Sequence, residues 1–118
     1  MNLFKNEKYI TPVEYEEYSF KELLGEKDGC KAGCQAGILV YTQEEYKQGG
    51  IHDDQEGFFV LSGSGSAIVG SKEFSLEPGV CFIVPPGKYH SIKKNKSCSS
   101  IKLFFFHAAA DFKERSSK

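Results

Sequence analysis

An all-β sandwich or barrel is the fold class this sequence predicts, and three observations carry the expectation. Short runs of β-branched and aromatic residues recur from residue 36 onward. Turn residues separate them. The 12 glycines and 4 prolines among 118 residues punctuate the chain too often for long helices. Twelve glycines also suit a fold of tight turns, which need residues that accept positive φ.

Residues 1–10 are polar and expected to be loosely held. Thr11-Pro12-Val13-Glu14 reads as a helix start, with Thr as cap, Pro at the first position and Glu three after the cap. Phe20, Leu23 and Leu24 keep helical spacing, and Gly25 would end the segment. Tyr9, Tyr15, Tyr18 and Phe20 suit a strand equally well, so 12–24 is read as helix or strand. Residues 26–33 form a polar, glycine-containing loop. Strands are then expected at 38–42, 58–61, 67–69, 72–76, 80–84, 89–92 and 101–106. The expected organisation is an N-terminal extension over 1–35 packing on a barrel over 36–110, with a frayed tail over 111–118.

Composition narrows the function classes. With 15 basic and 16 acidic residues, net −1, the chain offers no excess positive charge to a nucleic-acid backbone. No apolar run approaches the ~18 residues of a membrane span. The N-terminal residues lack the apolar stretch of a signal peptide, so a cytoplasmic protein is expected. Cys30, Cys34, Cys81 and Cys98 are too sparse for a disulfide framework and are read as free thiols, a zinc site or redox pair on Cys30 and Cys34 being the alternative. Asn95-Lys96-Ser97 matches a glycosylation acceptor that such a chain would not use. Lys93, Lys94 and Lys96 are read as a solvated edge that discourages strand pairing.

Two segments carry the chemistry. His52 and Glu56 stand four apart, just before a strong strand. Fully extended, four residues span about 13 Å, whereas metal ligands all lie about 2.0–2.2 Å from one ion. Residues 53–55 must therefore curl if the two side chains share an ion. In the second segment an apolar run ends in Pro85-Pro86-Gly87, and His90 follows. A rigid turn fixes the aim of that imidazole, as a ligand requires.

Together the segments resemble the cupin superfamily, in its small single-domain microbial form, over residues 36–107. The first cupin motif runs His-x-His, three or four residues, Glu, six residues, Gly. His52, Glu56 and Gly63 match its second His, its Glu and its closing Gly. The second motif runs Gly-x5-Pro-x-Gly-x2-His, matched by Gly79, Pro85, Gly87 and His90, with Asn95 one residue later than the motif's Asn. One departure is clear: the motif's first His falls on Gly50.

The resemblance implies a double-stranded β-helix, a jelly roll of two antiparallel sheets with its site inside the open end. It implies His52, Glu56 and His90 as ligands of one divalent ion: iron, manganese, zinc or nickel. Two histidines and one carboxylate are a known set for iron(II). Asp54 is read as a supporting or solvated residue and Asp53 as a loop charge. By parity, Phe58 and Val60 face in with Glu56, and Ile92 faces in with His90. Phe82 and Val84 are expected to line the same cavity. On the last strand either Leu103 and Phe105 or Phe104 and Phe106 face in. His107 is read as a strand-end histidine to which the motifs give no role, a fourth ligand being the alternative. The function implied is a metal-binding cupin holding a small polar organic ligand in its barrel, as an oxygenase or isomerase. The alternative is a non-catalytic small-molecule or sugar-binding sensor, with or without metal. A homodimer is expected, with Tyr9, Ile10 and Val13 at its interface.

Overall fold

The protein's structure is a computed structural model that describes residues 3–47 and 49–108; the tail at 111–118 lies outside them. Among the described residues, ten strands form two antiparallel sheets. The larger contains β1 (Val13–Glu14), β2 (Tyr18–Leu24), β3 (Gln35–Tyr41), β10 (Ile101–Ala108), β5 (Gln55–Ser62) and β8 (Cys81–Val84), in that spatial order. The smaller contains β4 (Gly49–Ile51), β9 (Tyr89–Lys94), β6 (Gly65–Val69) and β7 (Lys72–Leu76). The chain crosses repeatedly between sheets, as the expected jelly roll requires.

The core lies between the sheets and follows the period of two. On β5, Phe58 and Val60 are buried while Phe59 and Leu61 face out. Val84, Ala67 and Ile92 complete the interior from β8, β6 and β9. On β10 the interior residues are Ile101, Leu103 and Phe105, which settles the parity left open above. Gly63 turns the chain out of β5 at φ +82°, a conformation that favours glycine, and a Cβ there would meet the Ser100 carbonyl.

Within 12–24 the chain forms the strands β1 and β2 rather than a helix, and the helix-start pattern is overridden. β2 hydrogen-bonds along β3, and its inward residues find aromatic partners on β3 and β10. Tyr18 stacks on Tyr41 with centroids 5.4 Å apart, and Phe20 packs on Phe105 at 5.6 Å. Those contacts and the ladder outweigh local propensity.

Two other expectations are corrected. Before β1, Lys5 and Glu7 are anchored by ion pairs rather than loose, while Leu3, Phe4 and Tyr9 stay exposed. Glu7 holds Lys102 at 2.7 Å and Lys21 at 3.4 Å, while Lys5 holds Asp28 at 2.8 Å. Lys93 and Lys94 are not a solvated edge, because β9 lies between β4 and β6, whereas Lys96 beyond β9 is exposed as expected. Lys94 is buried with its ammonium 2.7 Å from Glu44, and Lys93 lies over the Tyr46 ring.

Candidate metal centre

Three chain segments bring the site together. β4 pairs antiparallel with β9 so that Gly50 stands opposite His90. His52 follows immediately after β4 and is fixed through its backbone. Its carbonyl accepts a hydrogen bond from the Gly87 N–H at 2.8 Å, so the Pro85-Pro86-Gly87 turn and the His52 loop are tied together. Residues 53–54 bend, as the reach argument demanded, and β5 begins at Gln55 with Glu56 pointing inward. β10 runs beside β5 with His107 opposite Glu56.

The result is a compact donor cluster. One ligand atom from each of His52, Glu56 and His90 lies within 4.8 Å of the others. Glu56 Oε1 is 3.4 Å from His90 Nε2 and 3.7 Å from His52 Nε2. These separations are long for charge-assisted hydrogen bonds, which run about 2.7–2.9 Å. Two donors each about 2.1 Å from a shared ion, at right-angled to tetrahedral geometry, would stand roughly 3.0–3.4 Å apart. Glu56 Oε1 is buried without a hydrogen-bond partner. A buried carboxylate oxygen left unpaired is costly, and a cation between the three groups removes that cost. The donor chemistry therefore fits a divalent ion of the first transition row.

The electrostatics are consistent with neutral imidazole at His90. Burial holds its proton affinity below the ordinary histidine value, against the opposing pull of Glu56. The Phe58 ring stands behind it, centroids 5.8 Å apart, and is itself stacked on Phe82 at 4.8 Å.

Gly50 faces the site. A Cβ there would lie 3.5 Å from His52 Nε2 and 3.9 Å from His90 Cε1. The position that departs from the motif is thus open space beside the donors. It forms part of a cavity of about 250 Å³. Tyr15, Tyr18 and Tyr41 make a stacked wall of this cavity, running from an exposed ring to a buried one. Burial, with Glu56 adding to it, keeps the Tyr41 hydroxyl protonated well above the ordinary tyrosine range.

His107 also lines this cavity, although the motifs gave it no role. Its Nε2 is 3.2 Å from Glu56 Oε2 and its Nδ1 is 3.1 Å from Asp54 Oδ2. The hydrogen bond to Glu56 raises its proton affinity above the ordinary value. Asp53 is exposed, as expected, whereas Asp54 is tied to His107. Val84 lies in the core and Phe82 packs against it, and neither lines the cavity, against expectation. All four cysteines are free thiols and none lines the cavity. The tyrosine wall was also missed by sequence reasoning. Its only trace is the inward parity shared by Tyr18 and Phe20.

Comparison with known proteins agrees with this architecture. No curated protein matches the sequence. Among solved structures, the cupin domain of Schizosaccharomyces pombe Cnp3 is similar at TM-score 0.75 and 22% identity, covering 95% of this chain and 77% of that one. A predicted oxalate decarboxylase of Thermotoga maritima is similar at TM-score 0.76 and 16% identity, covering 88% and 96%. The iron(II) form of HppE is similar at TM-score 0.75 and 16% identity, covering 90% of this chain but only 60% of that one. At these identities the likeness is one of fold. The model of the cupin domain family matches residues 40–107, more than half of the chain, so this protein belongs to the cupin family.

Proposed function

We propose that this cupin holds one divalent metal ion on His52, Glu56 and His90 and binds a small polar organic molecule beside it. The observation that carries the reading is the buried, unpaired Glu56 Oε1 facing two imidazole Nε2 atoms at 3.4 and 3.7 Å. When bound, such an ion supplies Lewis acidity and open positions for a ligand oxygen. Gly50 leaves room for that oxygen, and the tyrosine wall offers ring faces to the ligand's body. Among the described residues no lysine or arginine lines the cavity, so the ligand's charged or polar end is matched to the ion and its remainder to the aromatic wall. HppE in its iron(II) form has this fold, which makes oxygen consumption by the iron-loaded protein the first activity to assay. Uptake of oxygen dependent on an added organic acid supports catalysis; binding without turnover supports the sensor reading.

Metal retention should depend on pH in a definite direction. Protons compete with the ion for the same imidazole nitrogens. Because burial lowers the proton affinity of His90, that group yields to protons at lower pH than an ordinary histidine does. Metal bound near neutral pH should be lost as the pH falls below about 6. Dialysis across a pH series with elemental analysis measures this. Retention well below that value would point to thiolate or carboxylate ligation instead.

We also propose a homodimer. Phe59, Leu61, Ile83 and Phe106 are each two-fifths to one-half exposed on the outer face of the larger sheet. They are contiguous, since Phe106 and Ile83 both stand opposite Gly57. Together they expose roughly 300 Å² of apolar surface, taking about 200 Å² for a large side chain, a patch size often functional on a monomer. Tyr9 and Val13 are exposed as well. Light scattering should give twice 13.2 kDa; a species of 13.2 kDa would refute the dimer.

A further inference from the structure

The two oxygens of Glu56 have different surroundings. Oε1 faces His52 and His90, while Oε2 lies 3.2 Å from His107 Nε2. His107 is held on its other side by Asp54 Oδ2, 3.1 Å from Nδ1. Its ring is wedged edge-on against Phe105 and His52, centroids 5.6 and 5.4 Å away, and its side chain is only 14% exposed. Ionised carboxylates only accept hydrogen bonds, so the His107 ring nitrogen that faces Oε2 donates to it. A carboxylate oxygen already accepting such a bond is less available to an ion. A carboxylate free at both oxygens can bind an ion through two positions, whereas one held at Oε2 binds through Oε1 alone.

We propose that His107, braced by Asp54, is a positioning residue that makes Glu56 a one-oxygen ligand and so preserves the open coordination positions beside Gly50. This rests on the metal reading above. It gives a role to a histidine outside both cupin motifs, reached through the pairing of β10 with β5.

Cobalt(II) is the probe, added to the full-length chain, with affinity from chelator competition and geometry from the visible absorption spectrum. His107→Ala should weaken cobalt binding about 10- to 100-fold, the usual cost of losing a residue that orients a ligand. It should also change the band positions and intensities as Glu56 becomes free to offer both oxygens. His107→Gln keeps an N–H directed at Oε2 and should recover most of the affinity and the wild-type spectrum. Asp54→Asn, at a partly exposed side chain, leaves the core intact and should weaken binding several-fold, so the test stands even where His107→Ala does not fold. Wild-type affinity and spectrum in a folded His107→Ala or in Asp54→Asn would overturn the proposal. So would His107→Gln behaving no better than His107→Ala. Failure of the wild-type protein to bind cobalt would overturn the metal reading and this proposal together. That outcome is distinct from a binding wild type with indifferent variants.

Discussion

Alanine at position 90 should abolish stoichiometric metal binding while leaving a folded protein. His90 supplies an imidazole Nε2 to the buried side of the cluster, 3.4 Å from Glu56 Oε1. Removing it leaves two donors four residues apart, and two donors hold an ion poorly. The loss should exceed the roughly 10- to 100-fold expected of a residue that only orients a ligand. The side chain lost is small and polar, so the core keeps its apolar residues. Elemental analysis of protein purified without added metal measures this directly. His52→Ala should behave alike, although its side chain is 44% exposed and the apo protein should tolerate it better still. Equal trace metal in the wild type and both variants would mean that the donors are wrongly assigned.

Phe58→Ala should carry the largest cost in stability. Phe58 is 1% exposed and sits at the centre of the core. Large-to-small changes at such aromatic sites cost about 3–5 kcal/mol, against a total stability of about 5–15 kcal/mol for a domain. A fall in melting temperature of roughly 10–20 °C follows for a chain of this size. The same change should weaken metal binding, because the Phe58 ring backs His90. Phe59→Ala is the control. Its side chain is on the same strand, faces outward and is 41% exposed, and apart from any effect on dimer association its loss should cost the protomer's own fold about 1 kcal/mol or less. Equal losses at 58 and 59, measured by thermal denaturation followed by circular dichroism, would contradict the assigned faces of β5.

The strands with strong β composition were legible because alternation and turn residues are local properties. β4 was not. Gly49-Gly50-Ile51 has little intrinsic preference for a strand and exists as one because β9 pairs with it. Lys94 was misread for a similar reason. A lysine run looks solvated until strand order places β9 inside a sheet and brings Glu44 to it. His52, Glu56 and His90 could be picked out because loop spacing and a rigid turn are written in consecutive residues. His107 could not, since its partner Glu56 is distant in sequence and adjacent only through register. Parity on β10 allowed two answers. The alignment of Leu103 with Val60 and Phe105 with Phe58 chooses one and carries His107 inward.

Diffraction from crystals of the purified protein at several metal absorption edges tests the ligand assignment most directly. The expected result is a single anomalous peak about 2.0–2.2 Å from His52 Nε2, Glu56 Oε1 and His90 Nε2, with His107 Nε2 still bonded to Oε2. A metal-replete crystal with no peak there, or with the ion held by Cys30 and Cys34, would contradict it.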